Sequence, residues 1–144
     1  KRETTKNQMV TSSLLEAEKR LLGLISQSKK LYKMSSAQIK AEEFATNVYR
    51  RLAKSMYDSY ENGMSPDPAM MLNDFSGDDL SEASEVFYNL EVYSGDEETV
   101  KELLYTIKLE KLNMRINAEA DPTNLMDLFK QREELLNEKN TWEE

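Results

Sequence analysis

The chain offers few side chains with which to do chemistry, and the missing types are as informative as those present. It has no histidine and no cysteine. That removes the commonest general base, the commonest metal ligand and all thiolate chemistry together. No G-x-S-x-G, P-loop or dinucleotide glycine pattern occurs. What remains is carboxylates and amines. The run "NDFSGDDLSEASE" suggests calcium at first sight. An EF-hand loop, however, needs its glycine sixth, and counting from Asp74 places Gly77 fourth. Asp78 and Asp79 read instead as charges at a helix N-terminus. An enzyme built on this sequence would need a carboxylate-only site, and that reading ranks last. No metal and no cofactor is expected in this chain. The lone tryptophan, Trp142 in "NTWEE", reads either as a frayed tail or as an aromatic anchor of the kind enriched at binding hot spots.

Charge is divided along the chain. Residues 1–60 carry 12 Lys/Arg against 6 Asp/Glu, residues 61–100 carry 11 Asp/Glu and no Lys/Arg, and residues 101–144 carry 7 against 10. The net charge of −8 argues against duplex DNA as the main ligand, which calls for a basic surface with interleaved aromatics. The acidic block reads as a solvated face with helix N-termini, or alternatively as an electrostatic docking face. No apolar run approaches the roughly 20 residues of a membrane span. The lack of cysteine fits a reducing, cytoplasmic setting. Eight methionines read mainly as core filling, with an adaptable recognition surface as the alternative. The adjacent Met70 and Met71 cannot both point inward.

The elements that position these residues are helices. Three prolines and four glycines in 144 residues, with apolar spacings of three and four, predict an all-α protein. A first helix runs from Leu14 to about Gln27, capped by Ser13 and Glu16 in S-x-x-E spacing. Leu14, Leu15, Leu21, Leu22, Leu24 and Ile25 give it a face wide enough for two neighbours. A short second helix covers Lys29 to Ala37. The third, from about Ala41 to Asn62, carries Phe44, Val48, Leu52, Met56 and Tyr60 every four residues and stops at Gly63. Short helices through "PAMMLNDF" and from Asp79 to about Leu90 follow. The sixth starts at Ser94, paired with Glu97 in the same capping spacing, and runs to about Asn117. Its apolar stripe rotates midway, from Val100, Leu103, Leu104 and Ile107 to Tyr105, Leu109, Leu112 and Ile116. After the turn "AEADPTN", with Asp121 as cap and Pro122 at the first helical position, a last helix runs to about Lys139. The predicted architecture is a compact six-helix bundle followed by an antiparallel hairpin built on the long sixth helix. Residues 1–12 read as a linker-like lead, 13–108 as the bundle and 109–144 as the hairpin, exposed and mobile beside it.

Two stretches carry a resemblance. "EAEKRLLGLI" resembles the opening helix of the N-terminal domain of bacterial replicative helicases of the DnaB type. The third helix and its exit, "FATNVYRRLAKSMYDSYENGMSPDPAMM", resemble both that domain and the C-terminal helicase-binding domain of bacterial DnaG-type primase, which shares the fold. The linker-like lead favours primase, as does the end of the chain after a hairpin. So does "DDLSEASEVFYNL", where the helicase domain commonly has a Gly-Gly-x-x-Tyr-Leu segment. The resemblance implies a non-catalytic, monomeric module that binds the collar of the helicase hexamer, recruits primase to the fork and couples primer synthesis to unwinding. The alternative is the self-associating collar domain of a helicase. Zinc and magnesium would belong only to upstream domains of a primase. The hairpin positions implied in binding are Leu112, Ile116, Leu125, Phe129, Arg132, Leu136 and Trp142, some of which must hold the hairpin closed. A second implied partner is the acidic tail of single-strand binding protein, which would suit Lys29, Lys30, Lys33 and Met34; a solvated basic face is the plainer reading of those four.

Overall fold

The computed structural model describes residues 10–88 and 96–141. Ser94 and Leu90, proposed as helix ends, and Trp142 lie outside them. Among the described residues there are seven α-helices, one 3₁₀ turn and no strand, as the apolar periodicity predicts. They are α1 (Ser12–Gln27), α2 (Lys29–Ser36), α3 (Asn47–Glu61), α4 (Pro68–Leu72), α5 (Gly77–Tyr88), α6 (Glu97–Ala118) and α7 (Pro122–Thr141). The 3₁₀ turn covers Ala41–Glu43 and precedes α3.

α1 is the central helix, packed against α2, α3, α5 and above all α6. That explains its wide apolar face. Leu14, Ala17, Leu21, Leu22, Leu24 and Ile25 are all buried. The α3 stripe behaves as its spacing requires: Phe44, Val48, Leu52, Met56 and Tyr60 enter one core, joined by Tyr49 and Ala53. Tyr60 donates its hydroxyl to the Ile25 carbonyl at 2.6 Å and stacks on Tyr32, ring centroids 4.6 Å apart. The phenol thus satisfies a buried polar tip while filling space between α1, α2 and α3. Gly63 ends α3 with φ of +75°. The Met64 amide then donates back to the Ser59 carbonyl at 2.8 Å, closing the helix C-terminus as a left-handed glycine allows.

Local capping differs from expectation at the start of α1. Thr11, in extended backbone, caps α1 by accepting from the Leu14 amide at 3.1 Å. Ser13 already lies inside the first turn, because the chain turns helical one residue after Thr11. Asp96 caps α6, accepting from the Thr99 amide at 3.2 Å, and the described helix opens at Glu97. Helix α3 starts later than predicted: residues 41–46 form the 3₁₀ turn and an extended link before Asn47. Ser28 is both the last cap of α1 and the first of α2, its hydroxyl accepting from the Leu31 amide at 3.2 Å. The methionines divide: Met56 and Met71 are buried, whereas Met64, Met70 and Met126 are exposed, so core filling describes only part of the set.

One core residue is a carboxylate. Glu18 is fully buried, since Leu14, Glu18, Leu21 and Ile25 share one helical face. Its Oε1 accepts from the Ala45 amide at 2.8 Å, while Oε2 has no hydrogen-bond partner. Burial pushes its carboxyl up to about 7; the Ala45 amide and the positive charges of Lys111 and Arg50 pull the other way. The same link is gripped from two other sides. Arg50 donates to the Phe44 and Ala45 carbonyls at 3.0 and 3.2 Å, and Lys111 donates to the Glu43 carbonyl. Helices α1, α3 and α6 therefore meet on residues 43–45.

Candidate functional site

The hairpin is built from α6 and α7. α6 has 22 residues, about 33 Å at the usual rise. Val100, Leu103, Leu104 and Ile107 enter the bundle core, whereas Tyr105 and Leu112 are buried outside it, so one face of α6 closes the bundle and another meets α7. Three residues, 119–121, make the turn. Asp121 accepts from the Thr123 amide at 2.9 Å with Pro122 opening α7, as read from the sequence.

α7 packs mainly on α6. Leu125, Leu128, Arg132, Leu135 and Lys139 recur in steps of three and four, so they share one side of the helix. That side faces α6. Arg132 donates to Asn113 Oδ1 at 2.7 Å, and Lys139 lies 3.4 Å from Glu102 and 4.4 Å from the Tyr105 ring centre. The pairing of 132 with 113 and of 139 with 102 and 105 fixes the antiparallel direction. Leu128 is buried, and Leu125 and Leu135 are half-buried.

The seven hairpin positions separate on this geometry. Leu112 is buried and Ile116, Leu125 and Arg132 are half-buried on the closing seam. Phe129 and Leu136 are 43% and 42% exposed. They lie on the flank of the seam, with Arg132 over the Phe129 ring at 5.3 Å. Trp142 lies outside the described residues. Met126, 71% exposed, was not among the sequence candidates, yet its three-residue spacing to Phe129 puts it on the same flank. Met126, Phe129 and Leu136 thus form an apolar stripe that α6 leaves uncovered.

On α2, Lys29, Lys30 and Lys33 are exposed, and Met34 is half-buried against the core. Lys30 forms an ion pair with Glu97 at the start of α6, which raises its ammonium above the ordinary value. One of the three cations is therefore already neutralised from within the chain. Among the described residues no group of three or more Asp or Glu side chains converges as metal ligands would, and no helix is long and apolar enough to cross a membrane.

Among the described residues the chain is a helical bundle whose long α6 continues into a hairpin with α7. The chain matches the DnaB-like helicase N-terminal domain over residues 10–111, and it belongs to that family. The match ends within α6, so the rest of α6 and all of α7 lie beyond it. No curated protein and no solved structure matches the chain.

Proposed function

We propose that the chain is the helicase-binding domain of a bacterial DnaG-type primase. It recruits primase to the replication fork in the cytoplasm and couples primer synthesis to unwinding. In this reading residues 13–108 form the subdomain that contacts the helicase collar, and residues 109–144 form the hairpin subdomain that supplies much of the binding. The uncovered stripe of Met126, Phe129 and Leu136 carries the reading. Exposed apolar side chains set beside a closed seam are free to enter a partner's groove, and aromatic residues in such positions tend to dominate binding energy. Leu112, Ile116, Leu125 and Arg132 then act by holding the hairpin shut. Replacing Phe129 and Leu136 together by alanine should weaken binding to the replicative helicase hexamer at least tenfold while the bundle stays folded. Unchanged binding would remove the hairpin from the interface.

The family match favours a second reading on its own terms, because the matched domain is the helicase's N-terminal one. As a helicase collar the chain would associate with itself. Sedimentation separates the two: the primase reading expects a monomer at micromolar concentration that binds added hexamer, the collar reading dimers or ring trimers. An acidic tail peptide of single-strand binding protein is a further proposed ligand, at Lys29, Lys33 and Met34 with Lys30 exchanging its Glu97 partner. A titration that left the amide signals of those four residues in place would exclude it.

A further inference from the structure

A groove of about 710 Å³ lies between α7, α6 and the loop after α2. Leu104, Ile107 and Leu112 of α6 and Leu135 of α7 give it an apolar lining. Lys108, Lys111 and Arg115, in steps of three and four, run along α6 within it. The two lysines turn toward the bundle side, where they donate to Gln38 Oε1 and the Glu43 carbonyl. Glu134 and Glu138, one turn apart, line the opposite side on α7. Among the described residues no ion pair joins these cations to those carboxylates. The groove therefore has one edge where Lys108, Lys111 and Arg115 outnumber Glu43, an acidic edge of Glu134 and Glu138, and an apolar lining between them. Met126, Phe129 and Leu136 do not line it.

We propose that this groove receives a helix of about three turns from a partner protein, with an apolar stripe, carboxylates along one edge and amines or guanidiniums along the other. The length follows from Leu104 to Arg115, roughly 16 Å of helix. A trough between two helices takes a third by the same ridge-and-groove packing that built it. Its separated edges set the charge order of the guest, since complementary charge governs register and choice of partner more than raw affinity. Burial lowers the Lys111 ammonium below its ordinary value despite the nearby Glu18 and Glu43 charges, so a carboxylate brought by the guest would favour its charged form. This surface is separate from the α7 stripe and stands whichever family reading holds.

The test uses the 144-residue chain and a synthetic three-turn helical peptide with leucines on one face, glutamates on one flank and lysines on the other. Nuclear magnetic resonance titration should shift the amides of Ile107, Lys111 and Leu135. The double variants K108E/R115E and E134K/E138K should each lose at least tenfold in affinity, with spectral dispersion reporting that they remain folded. Combining all four changes reverses both edges except at Lys111, which faces the bundle side. The peptide then fits in the opposite direction, and affinity should exceed that of either double variant at least threefold. Absence of binding overturns the proposal, as does affinity indifferent to the reversals, or shifts confined to Met126, Phe129 and Leu136.

Discussion

Glu18 is the residue on which the protein's response to pH turns. Its carboxyl stands near 7 in the folded chain against an ordinary 4.5, so the folded state holds this proton more tightly than the unfolded state. Its contribution to stability is greatest below about pH 4.5, declines as pH rises, and is lost above about 7. The span is of order 3 kcal/mol. Glu18→Gln should flatten that slope: denaturation midpoints of the two chains should diverge between pH 5 and 8, the variant gaining relative to the parent. Parallel curves would show that Glu18 does not titrate in this window. Tyr60 is held differently. Removing its hydroxyl in Tyr60→Phe leaves the Ile25 carbonyl with the longer bond from the Ser28 amide, at 3.3 Å. The cost is about 1 kcal/mol, readable as a lower midpoint in urea. Glu18 was passed over in the sequence, although it occupies the same 14–18–21–25 stripe as three apolar residues. Its partner could not be read there, since the Ala45 amide is freed only by the extended link that precedes α3. Nothing in local propensity announces that link.

At the scale of elements, α7 has two sides with different duties. The seam side holds the hairpin through Leu128 and the Arg132–Asn113 and Lys139–Glu102 contacts; the flank displays Met126, Phe129 and Leu136. Leu128→Ala should cost about 2–3 kcal/mol of stability, toward the low end for a buried leucine because α7 has one main neighbour. Phe129→Ala should cost under 1 kcal/mol, since much of the ring already meets solvent. Thermal unfolding of the two variants side by side measures the difference, and equal losses would mean that the flank is packed and not displayed. Helix types and order were readable from the sequence because apolar spacing, Gly63 and the Asp121–Pro122 turn are local signals. The α1 cap, read as Ser13, lies two residues earlier at Thr11: several oxygen-bearing side chains stand near that start, and the extended backbone that selects among them is set by packing. The division of α7 into seam and flank needed the position of α6, which a single helix's periodicity does not contain.

For the whole molecule, the charge division along the sequence becomes a spatial one only in part. Lys30 reaches Glu97, so the basic first third and the acidic middle are tied together at the junction of α2 and α6. The bundle converges on α1, whose four neighbours include the long helix that carries the hairpin. The Lys111–Glu43 and Glu18–Ala45 contacts bind that helix and α1 to the same link. The hairpin is thus mounted on the bundle through α6 and displays its apolar flank outward, an arrangement suited to an adaptor. The most direct test compares the intact chain with its F129A/L136A variant for binding to the cognate replicative helicase hexamer, using sedimentation to read complex formation and self-association together. The account predicts a monomer that co-sediments with the hexamer when intact and fails to do so, though folded, when the flank is trimmed. Co-sedimentation unaffected by the two substitutions would contradict it.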